Sequence, residues 1–203
     1  MNRLYCEALG GDEQMLKNQV KVLLWLLASF VLVELVNLLS GRALNHFAIL
    51  PREVTSLPGI LFMPWLHGSL GHFIANIVPL AIFWLLMLEY GLKRTLWVSV
   101  WIVLVTGLMV WLFGRFAYHV GASGLIYGQF GFLVLAGFYS RQLIKLLISL
   151  AVGFLYGGMV LGVLPSQPFV SWEAHLFGFI AGLLAAKFWH GSNTSKNWSN
   201  RAQ

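Results

Sequence analysis

The chain is poor in the residues that make a water-facing surface. Of 203 residues only 10% are Asp, Glu, Lys or Arg, against 59% hydrophobic, and the mean hydropathy is +0.77. Soluble domains carry about a quarter charged residues, so this scarcity excludes a globule in water and predicts an integral membrane protein. Cysteine is nearly absent as well: one residue, Cys6, leaves no disulfide framework and no thiolate set for zinc. Asp12 is the one aspartate. There is no internal repeat and no low-complexity run of consequence.

What is present is apolar sequence in long runs. Segments of about twenty mainly apolar residues occur six times, at roughly 22–39, 70–88, 95–113, 122–139, 145–162 and 172–189. They predict an all-α membrane protein, a six-transmembrane-helix bundle over 22–190. Residues 1–21 are then a short cytoplasmic N-terminal segment, and the polar stretch 191–203 a disordered cytoplasmic tail. The first run exceeds a signal-peptide core and no small-residue cleavage site follows it, so it reads as a helix that is kept.

Basic residues sort by side. Arg3, Lys17, Lys21, Lys93, Arg94, Arg141, Lys145, Lys187, Lys196 and Arg201 fall on one face of this topology, and Arg42, Arg52 and Arg115 on the other. The positive-inside rule then predicts both termini in the cytoplasm. The net charge of +6 is accounted for by topology, which leaves no support for a nucleic-acid partner. The long connection 40–69, with Pro51, Pro58, Pro64, Phe62 and Trp65, is expected to lie in the outer membrane interface.

Residues on different helices can meet only at one depth. At about 1.5 Å per residue, Ser123 sits roughly 24 Å above Tyr139, His175 roughly 22 Å above His190, and His72 and Asn76 roughly 27 and 21 Å above Tyr90. Four polar side chains from three spans thus share a layer just below the outer face. Polar groups at that depth are costly and mark functional sites, although serine and asparagine also serve simply as hydrogen-bonding glue between helices. A serine and a histidine so placed are the parts of a nucleophile and its base. His72 and Asn76, four apart, share one helical face and suit two donors aimed at one oxyanion. Gly124, Gly128 and Gly131 after the serine, and Gly178 and Gly182 after the histidine, would let the two helices approach closely.

From about Phe62 to His190 the chain resembles the rhomboid intramembrane serine proteases of the bacterial six-helix type. The resemblance rests on Gly121-Ala122-Ser123-Gly124, on His67-x4-His72-x3-Asn76, on Tyr127 four residues after the serine, and on Ala174-His175-x-x-Gly178-x-x-x-Gly182. The Trp-Arg pair frequent in the family's first external loop is absent from 40–66.

The resemblance implies Ser123 as nucleophile, His175 as general base and Tyr127 stacked on the imidazole. It implies an oxyanion hole from His72, Asn76 and the Ser123 N–H, with His67, Gly121 and Gly124 in support. With Asp12 far from the site and Glu173 on another helical face from His175, the expectation is a Ser-His dyad, while Glu34 of the first span pairs inside the bundle.

The function implied is endoproteolysis of transmembrane helices near the external face of a bacterial inner membrane. Its partners would be transmembrane substrates and lipid, with no cofactor and no metal. Water must reach the site from outside, and the fifth loop with Pro165, Pro168, Phe169 and the glycines Gly157, Gly158 and Gly162 is expected to be its loosely packed, mobile part. The alternatives are a rhomboid-like pseudoprotease that binds helices without cutting, which loss of the serine or histidine would mark, and a transporter. A transporter should show paired intramembrane charges or a two-fold pattern of broken helices; Glu34 is the one charged residue away from the ends of a span.

Overall fold

The computed structural model describes residues 3–165 and 170–190, with side chains from residue 13 onward. Cys6, Asp12, the loop residues Pro168 and Phe169, and the tail 191–203 lie outside the described side chains. Seven α-helices make up the described chain: α1 Arg3–Leu39, the short α2 Gly59–Phe62, α3 Leu70–Met87, α4 Leu92–Phe113, α5 Ser123–Ser140, α6 Leu143–Tyr156 and α7 Trp172–Trp189. A 3₁₀ turn, Gly157–Val163, prolongs α6.

Local chemistry sets several ends. Ser69 in extended conformation caps α3, its Oγ accepting from the His72 N–H at 3.1 Å, and Ser171 caps α7 by accepting from the Ala174 N–H at 3.4 Å. Serine favours such positions because its oxygen takes one of the amides that the first turn leaves unpaired. Gly91, at φ 91°, breaks the chain between the 3₁₀ turn Leu88–Tyr90 and α4.

Four helical segments are long and apolar enough to cross a membrane: Glu13–Leu39, Leu70–Tyr90, Leu92–Phe113 and Leu143–Val163. Two of the six expected runs, those of α5 and α7, fall outside this set, and the extra helix α2 comes from the first connection. The reason is position. α5 packs on α3, α4, α6 and α7, and 13 of its 18 residues are buried. A helix screened from lipid by its neighbours needs no sheath of Leu and Val, so glycine, alanine and polar side chains take their places and hydropathy falls. α1 also starts earlier than the apolar run does: at 37 residues it is about 55 Å long, more than a bilayer needs.

The central contact is between α5 and α7. A Cβ on Gly178 would overlap the Gly124 carbonyl oxygen, and one on Gly182 that of Gly128, so the seam closes backbone to backbone. α4 is pinned beside it by the Trp101 indole N–H donating to the Ala181 carbonyl at 3.1 Å. Phe83, Leu80, Ile102, Phe130, Phe132 and Leu133 fill the core around α5. The first connection folds back on α4: the Arg52 N–H donates to the Trp111 carbonyl at 3.0 Å, and the Trp111 indole returns a bond to the Glu53 carbonyl at 2.9 Å.

Candidate functional site

Ser123 is the first residue of α5, so its N–H has no acceptor one turn back. The turn before it depends on Gly121, whose φ is +115° and whose N–H donates to the Met63 carbonyl at 3.0 Å. A Cβ there would stand 2.7 Å from the His72 Nε2. Both the left-handed backbone and the lack of room call for glycine, and the consequence is that the His72 ring lies against the peptide leading into Ser123.

On the next turn of α5, Tyr127 stacks on His175 of α7, with ring centroids 4.0 Å apart and planes 6° from parallel. The opposite edge of the imidazole is also held: Nδ1 lies 2.8 Å from the Gly162 carbonyl oxygen. A carbonyl can only accept, so Nδ1 carries the proton and Nε2 keeps its lone pair. Gly162, expected to be loosely packed, is instead tight, because a Cβ on it would overlap the Tyr127 hydroxyl. Gly157 and Gly158 do have open space around them.

His72, Asn76, Ser123, Tyr127 and His175 line a single cavity of about 860 Å³, together with Gly68, Ser69, Arg115, Tyr118 and His119 from the connections. Asn76 is buried and donates one amide hydrogen to the His72 carbonyl at 2.7 Å, which leaves its second amide hydrogen for another acceptor. Among the described residues no hydrogen bond joins Ser123 to His175; in free enzymes such bonds are often long and close only around substrate.

His67 stands outside this cavity and behind it. Its ring meets His72 edge-on at 5.1 Å. Its carbonyl accepts from Arg42 at 3.1 Å, Asn45 at 3.2 Å and Asn37 at 3.3 Å. Arg42 in turn pairs with the buried Glu34 at 2.7 Å, so the partner of Glu34 comes from the first connection and not from another span. Burial, with His72 nearby adding to it, pushes the His67 imidazole down to about 4. It is therefore neutral at pH 7, and its 3.8 Å approach to Glu34 is a polar contact rather than an ion pair.

The sequence reading missed a second group on the cavity wall. His119 Nδ1 lies 2.6 Å from the Oγ of Ser171, the cap of α7, and its Nε2 lies 3.0 Å from the Arg115 carbonyl. Glu173, 3% exposed, accepts from the Arg115 N–H at 3.3 Å and faces its guanidinium at 3.6 Å, while that guanidinium also donates to the Val170 carbonyl. The connection before α5 is thereby tied to the head of α7. A buried acid two residues before the histidine was the signal, but its partner is 58 positions away and no spacing rule reaches that far.

Among the described residues no three His, Cys, Asp or Glu side chains converge as a metal site. What the cavity brings together is a hydroxyl at a helix start, an imidazole with one nitrogen fixed as donor, and side-chain amide and imidazole donors beside them, which is the equipment of acyl transfer.

The same stretch of chain has relatives. Uncharacterized proteins of Mycobacterium tuberculosis and Mycobacterium bovis are each 39% identical over 173 residues, covering 81% of this chain and 72% of the relative. One from Mycobacterium leprae is 36% identical over 173 residues, covering 68% of its own length. Residues 54–192, which hold every cavity residue named above, match the rhomboid domain, and the chain therefore belongs to the rhomboid family.

Proposed function

We propose that this protein is an intramembrane serine endopeptidase that cuts transmembrane helices of other membrane proteins near the external face of the membrane. The observation that carries the reading is the convergence of Ser123, His175, Tyr127, His72 and Asn76, from α3, α5 and α7, on one cavity. In this reading the Ser123 Oγ attacks the scissile carbonyl carbon while its proton passes to the His175 Nε2. The tetrahedral oxyanion accepts from the Ser123 N–H, His72 and Asn76. The imidazolium then gives its proton to the leaving amine, and water, deprotonated by the same nitrogen, releases the acyl group from Ser123. Donors set in place beforehand are worth about 3 kcal/mol each at the transition state, and a dyad with several of them needs no third acid.

Six spans with both termini cytoplasmic, and residues 22–190 acting as one protease domain, complete the proposal. α5 and α7 cross as central spans screened by the others. Because helix hydrogen bonds and lipid both shield a peptide bond, the substrate must unwind at the cavity, where water enters beside Gly68, Ser69 and Tyr118. The test is cleavage of a panel of single-span substrates by purified protein in detergent, set against Ser123→Ala. Cleavage by wild type alone supports the reading. Equal binding of substrates by both proteins with no cleavage by either would instead identify a helix-binding pseudoprotease.

A further inference from the structure

Among the described residues no carboxylate is hydrogen-bonded to His175, and Glu173 is turned to Arg115. The atom that does reach it is the Gly162 carbonyl oxygen, 2.8 Å from Nδ1. Gly162 belongs to the 3₁₀ turn that prolongs α6, and that turn also packs on α7. Its fit is close at one end only: a Cβ on Gly162 would overlap the Tyr127 hydroxyl and stand 3.5 Å from the His175 Nδ1, whereas a Cβ on Gly157 or Gly158 would meet nothing within 4 Å. Tyr127 sets the plane of the imidazole, and the Gly162 carbonyl sets its rotation and tautomer.

We propose that the Gly162 carbonyl is the positioning group for His175, standing where a triad would use a carboxylate, so that the base is ready only while the turn above α6 is seated on it. This rests on the reading of Ser123 and His175 as nucleophile and base. During the reaction the Ser123 proton moves to Nε2 and on to the leaving amine, while the Nδ1 proton stays on its hydrogen bond to Gly162 throughout. A neutral acceptor on the backbone avoids a buried carboxylate in the membrane. It also makes the base depend on where one segment of chain lies.

Two variants and one spectroscopic reading test this. Gly162→Ala displaces the turn, and an ester in place of the Gly162–Val163 amide weakens the same carbonyl as an acceptor without changing any side chain. Nitrogen NMR of histidine-labelled protein in detergent, with His175→Gln to assign the signal, reads the tautomer. Wild type is expected to carry its proton on Nδ1. The ester should lower kcat about tenfold, the worth of one neutral hydrogen bond, with KM little changed, and should mix the tautomers; Gly162→Ala should lose more. A proton on Nε2 in wild type, or an ester protein with unchanged kcat, overturns the proposal while the protease reading stands. The expected tautomer without any Ser123-dependent cleavage overturns the protease reading, and this proposal with it.

Discussion

At the scale of single residues the site works by removing freedom from a few side chains. Ser123 and His175 form one unit in the proposed mechanism, so their effects should not add: Ser123→Ala, His175→Ala and the double variant should lose turnover to the same floor. A double variant markedly slower than either single one, by initial rates on one substrate, would separate them. Asn76→Ala should cost about 3 kcal/mol in kcat, with KM little moved; an unchanged kcat would leave Asn76 as a brace for the His72 carbonyl. His67 bears on stability. Its pKa falls from 6.5 to about 4 on folding, so between those values the unfolded chain binds more protons and stability rises with pH. His67 therefore favours the folded state fully above about pH 6.5 and loses that contribution as pH falls toward 4. Thermal unfolding in detergent should show a shallower loss from pH 7 to 4 in His67→Gln than in wild type.

At the scale of elements, α5 and α7 matter most because they carry the two groups proposed to react and touch through bare backbone. Gly178→Val would drive a side chain into the Gly124 carbonyl. Overpacking costs about 1–3 kcal/mol where neighbours can yield, and backbone yields least, so a clear fall in melting temperature together with loss of activity is expected. Gly153→Val on α6 is the control, since a Cβ there meets nothing within 4 Å; equal destabilisation by the two would show that the seam is not special. The seam was legible as glycines at helical spacing. The expectation that they bring the helices of Ser123 and His175 together holds, while the particular carbonyls they meet, those of Gly124 and Gly128, came only from the packing. The head of α7 shows the limit of local spacing: the bond between Ser171 and His119 joins residues 52 positions apart.

At the scale of the whole molecule the open variable is orientation in the bilayer. With ten of thirteen Lys and Arg on one side, the positive-inside rule places the connection holding Lys93 in the cytoplasm and the one holding Thr55 outside. Both residues are exposed. In a Cys6→Ser background, a membrane-impermeant thiol reagent added to intact cells should label Thr55→Cys and spare Lys93→Cys until the membrane is opened. The reverse pattern would invert the topology and put the cavity on the cytoplasmic side.

The sequence by itself determined that the protein lives in a membrane, that it is helical, and which serine, histidines and asparagine could share a depth. Composition, run length and rise per residue carry that information locally, and a histidine four residues from an asparagine is on its face in any helix. Tertiary structure decided the rest. It packed α5 among α3, α4, α6 and α7 and set α7 against it through bare backbone. It turned Gly162 from an expected loose hinge into the acceptor for His175, anchored the His67 carbonyl on Arg42, Asn45 and Asn37, and closed Arg115 on Glu173. Each of these contacts joins residues at least 13 positions apart, and such pairs are set by how helices pack against one another, which no local spacing encodes.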